Sequence, residues 1–256
     1  MVLLMVLTGI LAGILSAILG IGGGIIMLPA IQLVLKFDPA TAVATTLLAV
    51  ALTAFSGALG HYRNGVVNLR NAMFIGLGGV IGIINGSYIF AAYLTKDTDL
   101  IQLLLGILFL IMAFRMLKDL YQELTEAEVK AKEPKSSSPI WLIVLGIIVG
   151  ILAGMLGVGG GFLMVPAMMW LFGAEPLEAV GTTLLAMLPI TLIGAFIKIG
   201  QGFVNLNAGL IIGIGSIFGA QLGVWVSTHI KAYIFKILFV IIFFYFAISY
   251  LWALVP

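Results

Sequence analysis

Residues Leu19 to Ala30 read LGIGGGIIMLPA, and residues Leu156 to Ala167 read LGVGGGFLMVPA. The two stretches are superimposed by a shift of 137 positions without a gap. Each lies inside an apolar run of more than 30 residues, about 2–35 and 140–173. One crossing of a bilayer needs only about 20 residues. Consecutive glycines weaken a helix by about 1 kcal/mol each relative to alanine. A broken helix or re-entrant hairpin is therefore expected at each cluster, followed by a short helix with Pro29 or Pro166 in its first turns.

The same shift carries more than the glycines. AVATTLLA (Ala42 to Ala49) falls on AVGTTLLA (Ala179 to Ala186), and GVVNL (Gly65 to Leu69) on GFVNL (Gly202 to Leu206). Gly76, Gly78, Gly82 and Gly86 fall on Gly213, Gly215, Gly219 and Gly223. Apolar composition alone would match leucines by chance, but not glycines, prolines and threonine pairs at one offset. The chain reads as an internal duplication. Interrupted helices at matching places in two repeats point to a transporter's binding region.

Composition fits that reading. The chain of 256 residues is 62% hydrophobic and 9% charged, and its mean hydropathy is +1.27. Soluble domains carry about 25% charged residues. Lipid can solvate such an apolar surface where water cannot. The chain contains no cysteine, which excludes disulfides and thiolate-held metals. A net charge of +2, scattered along the chain, is too small for a nucleic-acid surface. The N-terminal run lacks a basic leader and reads as a first membrane segment.

Polar breaks divide the remainder into segments at about 40–60, 70–94, 100–118, 177–198, 206–228 and 232–255. The expected fold is an all-α polytopic membrane protein of two homologous repeats. Each repeat has a glycine-broken helix or re-entrant hairpin followed by three transmembrane helices. Residues 1–118 form the first repeat and 140–256 the second. The polar stretch 119–139, DLYQELTEAEVKAKEPKSSSP, is expected to be an aqueous linker. Lys130, Lys132 and Lys135 favour a cytoplasmic position for it. Single crossings at the broken segments would make the repeats parallel, and hairpins would make them inverted. Segment length favours the hairpin, whereas the distribution of basic residues does not decide.

The doubled G-x-G-G-G with a proline five residues later, the A-V-x-T-T downstream and the chain length resemble the sulfite exporter TauE/SafE family. The resemblance covers roughly residues 1–255. It implies a multi-pass carrier in a prokaryotic-type plasma membrane, moving a sulfur-containing anion such as sulfite or a sulfonate.

The candidate substrate-binding residues follow from the chemistry of helix starts. A helix N-terminus leaves backbone N–H groups unpaired and carries partial positive charge. Two such ends facing one cavity can hold an anion without a buried lysine or arginine. Gly22, Gly23, Gly24, Gly159, Gly160 and Gly161 are the candidates for that role, against the plainer reading of close helix packing. Thr45, Thr46, Thr182 and Thr183 are candidate hydroxyl donors, although threonine in a helix commonly bonds its own backbone. Glycines four apart at Gly78, Gly82 and Gly86 fit packing better. Asn85 and Gln221 are expected to bridge helices, and Asn68 and Asn205 to cap them. His61 and His229 are expected to be solvated at the interfaces. Arg115, Lys198 and Lys236 are expected to snorkel toward headgroups.

No Asp or Glu lies clearly in mid-membrane, and no cluster of His, Cys or acids offers a metal site or catalytic constellation. Neither metal nor organic cofactor is expected, nor an enzymatic activity. The expected partners are a small anionic substrate and the lipid bilayer. A passive anion channel with a static pore is the alternative to a carrier.

Overall fold

The computed structural model describes residues 1–94, 98–125, 138–229 and 232–252. The described residues are helical, with no strand among them. The helices are α1 (Val2–Leu19), α2 (Gly24–Pro29), α3 (Pro39–Arg63), α4 (Leu69–Ile89), α5 (Thr98–Thr125), α6 (Pro139–Leu156), α7 (Gly161–Phe172), α8 (Pro176–Gly200), α9 (Leu206–Ser227) and α10 (Ala232–Trp252). Wider π-helical turns extend α2 from Ala30 to Val34 and α4 from Phe90 to Leu94. Among them, α1, α3, α4 with its extension, α6, α8 and α9 are long and apolar enough to cross a bilayer.

Helix boundaries follow local chemistry. Pro39, Pro139 and Pro176 open α3, α6 and α8, where a missing N–H costs nothing. Asp38 caps α3 by accepting from the Thr41 N–H at 3.0 Å. Asn68 and Asn205 cap α4 and α9 through the N–H groups of Asn71 and Ala208, the role expected of them. α5 runs to Thr125, into the polar stretch that starts at 119. Asp119 to Thr125 contain neither glycine nor proline, so polarity there does not stop the helix. Lys130, Lys132 and Lys135 of the expected linker lie outside the described residues.

Two close helix pairs frame the molecule, α1 on α9 and α4 on α6. Glycine makes both approaches possible. A Cβ on Gly13 would lie 2.9 Å from the backbone of Ser216 and Ala220, and one on Gly82 2.8 Å from the Ile151 nitrogen. Gly78, Gly82 and Gly86 all face α6, so their four-residue spacing is a packing stripe. The opposite face of α4 exposes Met73, Leu77, Ile81 and Tyr88, and that of α9 exposes Leu210, Ile214, Phe218 and Trp225. These stripes are the lipid-facing surfaces.

Helix directions can be read from the contacts. Along α3 and α9, Leu48 meets Gly209, Leu52 meets Gly213 and Gly60 meets Val224, so the two run parallel. Along α3 and α8, Leu47 meets Gly194, Leu184 meets Gly57 and His61 meets Gly181, so these run antiparallel. The segments AVATTLLA and AVGTTLLA therefore point in opposite directions through the fold.

Candidate functional site

The chain leaves α1 at Gly20, which adopts a left-handed backbone and caps the helix through the Ser16 carbonyl at 2.7 Å. Gly22 and Gly23 are also left-handed, each at φ 74°. At these angles a Cβ would be strained, so the GxGGG pattern is a requirement of the turn. The reversal brings Gly23 back alongside α1, where a Cβ would lie 3.2 Å from the Ala12 carbonyl oxygen. The second cluster repeats this geometry. Gly157, Gly159 and Gly160 have φ of 71°, 84° and 82°, and Gly160 returns alongside Val149 and Ala153 of α6. Both clusters thus turn hairpins, and the short helices α2 and α7 descend from them. At 1.5 Å per residue α7 extends about 18 Å, too short to cross a bilayer.

The two hairpin tips meet. A Cβ on Gly24 would lie 2.7 Å from the Val158 carbonyl carbon, and one on Gly161 would lie 2.9 Å from the Ile21 Cα. Each helix start is therefore pressed against the turn of the other hairpin. Gly22 and Gly159 both face the same two side chains, Val50 of α3 and Met187 of α8. Val50 and Met187 are themselves 137 positions apart. The first N–H groups of α2 that find acceptors inside it are those of Ile26 and Met27, both on the Gly23 carbonyl. In α7 they are those of Leu163 and Met164 on the Gly160 carbonyl. The N–H groups ahead of them lack an intrahelical acceptor and supply the positive ends of two helix dipoles.

The four threonines are fully buried, but they divide into two kinds. The Thr45 hydroxyl oxygen accepts the Asn205 N–H at 3.0 Å, and that of Thr182 accepts the Asn68 N–H at 2.9 Å. These two tie the turns before α9 and α4 to α3 and α8. Thr46 donates to the Ala42 carbonyl at 2.7 Å, the local bond that threonine favours in a helix. Thr183 has a long contact, 3.7 Å, to the Met168 sulfur. Thr46 and Thr183 stand one turn before Val50 and Met187, hence on the same helix faces as the residues that touch the glycine turns.

Some of the other polar residues depart from expectation and some meet it. His61 is buried and not solvated: its Nε2 lies 2.9 Å from the Ala17 carbonyl, because α3 ends against α1. Lys198 is 0% exposed and does not snorkel. Its ammonium lies 3.2 Å from the centre of the Phe90 ring, where α8 ends against α4. Asn85 does not bridge helices; it faces outward and donates to its own Ile81 carbonyl at 2.8 Å. Gln221 does bridge, donating to Ser56 across α9 and α3 at 2.8 Å. Arg115 lies over the Trp170 ring at 4.3 Å. His229 is exposed, as expected. The Lys236 side chain lies outside the described residues.

Sequence reasoning missed Val50 and Met187. They are ordinary apolar residues, and their one distinguishing mark was the shared offset. It also missed the Thr53–Ser216 hydroxyl pair, 2.6 Å apart between α3 and α9. Among the described residues, no three His, Cys, Asp or Glu side chains come close enough to hold a metal ion.

The comparisons with known proteins agree with a membrane protein of this design. The chain is 26% identical over 246 residues to the probable membrane transporter protein YunE of Bacillus subtilis, covering 89% of each chain. It is 28% identical over 215 residues to a probable membrane transporter protein of Xylella fastidiosa, covering 84% of this chain and 80% of that one. An archaeal relative, a probable membrane transporter protein of Methanocaldococcus jannaschii, is 23% identical over 243 residues, 89% of this chain and 87% of its own. No solved structure matches. The model of the sulfite exporter TauE/SafE family matches residues 5–250. With that match across nearly its whole length and, among the described residues, six helices long and apolar enough to span a bilayer, the chain belongs to the sulfite exporter TauE/SafE family and is a multi-pass transporter of the prokaryotic plasma membrane.

Proposed function

We propose that the protein is a carrier for a small anion, a sulfur oxyanion or organosulfonate such as sulfite, held where the two glycine turns meet. The observation that carries this reading is the convergence of two helix starts on each other beside Val50 and Met187. A lipid-buried anion without compensating donors costs many kcal/mol. Helix starts offer N–H groups and partial positive charge without a fixed counter-ion, so binding is moderate and reversible. Backbone N–H groups at Gly22, Gly23, Gly24, Gly159, Gly160 and Gly161 supply the donors. Thr46 and Thr183 reach the same depth and add hydroxyls after rotating away from their local partners. Thr45 and Thr182 act one step back, fixing the helices by the turns they hold. Val50 and Met187 fill the space between the turns and close the path in this conformation.

The carrier reading rests on a second proposal, that residues 1–118 and 140–256 are inverted repeats. The antiparallel course of α3 and α8 supports it, as do the matching contacts Asn68–Thr182 and Asn205–Thr45. Rocking one inverted repeat against the other exposes a central site to each side in turn. Sulfite export is the reading closest to the family's description.

The test is flux of labelled sulfite, sulfate, thiosulfate and sulfonates into proteoliposomes containing the pure protein. A carrier gives saturable uptake that is accelerated by unlabelled anion on the other side. Unitary currents would show a channel instead, and the absence of anion-dependent flux would overturn the reading.

A further inference from the structure

A second cluster of polar groups lies away from the glycine turns, at the end of α8. Lys198 stands eleven residues after Met187, about 16 Å further along the helix. Its ammonium is buried and has no hydrogen-bond partner. Two more buried atoms without partners belong to the same neighbourhood, the Ser87 hydroxyl and the Gln201 amide oxygen. Ser87 is three residues before Phe90 on α4, and Phe90 is the ring under the Lys198 ammonium. Gln201 is three residues after Lys198, and its amide nitrogen donates to the Ser87 carbonyl at 3.4 Å. Phe203 closes one side by packing edge-on against Phe90, with ring centres 5.9 Å apart.

Three buried polar atoms without partners, on residues linked through the Gln201–Ser87 bond and the Lys198–Phe90 contact, are unusual in a folded protein. A ring face attracts a cation, but it replaces little of the hydration that a buried ammonium loses. No carboxylate pairs with Lys198 among the described residues. The donors and the acceptor together suit one kind of guest. An ammonium and a hydroxyl donate to an oxyanion, and an amide oxygen accepts from one that still carries a proton. Position supports a role in transport: the cluster lies at the C-terminal end of α8, well along the helix from Met187, which touches the glycine turns. At the matching place 137 positions earlier, the other end of the fold carries His61, also buried and with its Nδ1 unpartnered.

We propose that Lys198, Ser87 and Gln201 form a second anion-binding station, which a small oxyanion occupies on its way between the central site and one face of the membrane. The station rests on the reading that the transported species is such an anion. It gathers substrate at that face without holding it at the centre, so its loss weakens capture and spares the maximal rate.

The experiment measures half-saturation and maximal flux of labelled sulfite and thiosulfate in proteoliposomes. Wild type is compared with Lys198→Met, Lys198→Arg and Ser87→Ala, each first checked by size-exclusion elution. Loss of a charged donor raises half-saturation by about ten- to a hundredfold in Lys198→Met. Lys198→Arg keeps the charge and recovers most of that loss, which a merely structural lysine would not require. Ser87→Ala raises half-saturation less, and all three keep the wild-type maximal flux. Wild-type half-saturation in Lys198→Met and Ser87→Ala overturns the station and leaves the central site standing. Should Lys198→Met not fold, unchanged half-saturation in Ser87→Ala overturns it alone. If wild type moves none of the anions, the carrier reading falls and the station falls with it.

Discussion

Gly24→Ala and Gly161→Ala probe the meeting of the hairpin tips with the smallest possible change. Both residues open a helix with ordinary backbone angles, so alanine adds no conformational strain there. What it adds is a methyl group against backbone. On Gly24 it would lie 2.7 Å from the Val158 carbonyl carbon and 2.9 Å from the Val158 Cα, where ordinary contact begins at 3.4 Å. On Gly161 it would lie 2.9 Å from the Ile21 Cα and 2.7 Å from the Met187 sulfur. The sulfur can swing away, but the backbone of the facing turn cannot. Overpacking of this kind costs about 1–3 kcal/mol. Alanine returns at most about 1 kcal/mol through helix propensity, and less at a first helical position. The clash wins, so each substitution destabilises. A displaced helix start also misplaces its N–H donors, and losing one hydrogen bond to a charged group lowers anion affinity by about tenfold or more. Gly200→Ala is the control, since nothing lies within 4 Å of its added Cβ. The assay is thermal unfolding in detergent together with flux in proteoliposomes. Wild-type stability and flux in both variants would show that the tips do not press together, and the argument for a shared site would fail.

Other outcomes follow from the same contacts. Thr45→Val and Thr182→Val each strand a turn N–H and cost about 1–3 kcal/mol in unfolding experiments. Thr46→Val costs far less in stability, because the Ala42 carbonyl keeps its helical partner; its effect is read in anion affinity, lowered by about tenfold. Asp38 is partly desolvated, which raises its pKa, but bonds from Thr41 outweigh this and hold it below the ordinary carboxylate value. Its cap is fully present above the unfolded-state value and is lost as pH falls through the lower folded one. Asp38→Asn, which keeps an acceptor at every pH, therefore flattens the acid limb of a stability profile. Arg63→Cys and Gly200→Cys are exposed counterparts at the ends of α3 and α8 in a chain without native cysteine. The antiparallel course of α3 and α8 puts them at opposite ends of the helix pair, so an impermeant thiol reagent outside sealed, uniformly oriented vesicles is expected to label only one of them.

Much of the architecture was legible because glycine and proline leave marks that apolar residues do not. The clusters at Gly22 to Gly24 and Gly159 to Gly161 announced breaks, and the chain turns there with φ values that glycine tolerates. The caps at Asn68 and Asn205 were legible for the same local reason. Tertiary facts were not. Nothing local distinguishes Lys198 at a helix end that snorkels from Lys198 covered by α4, since the difference lies in which helix packs alongside. His61 misled in the same way, because α1 closes over it. Val50 and Met187 carry no chemical signal of their own, and their place between the turns becomes visible only when α3 and α8 are set antiparallel. Asn85 shows the reverse error: polarity inside an apolar helix suggested a bridge, yet the side chain satisfies itself on its own backbone and faces lipid.

The proposal to be tested most directly is that the facing glycine turns hold the anion. Equilibrium binding of labelled sulfite and thiosulfate to purified protein measures this, comparing wild type with Gly23→Leu and Gly160→Leu. Both glycines are left-handed, so leucine there disturbs the turn as well as filling the approach to the helix start. Saturable binding is expected in wild type and its loss in each variant, with elution and thermal unfolding still those of a folded membrane protein. Wild-type affinity in both folded variants would contradict it, and would leave the glycine clusters as packing alone.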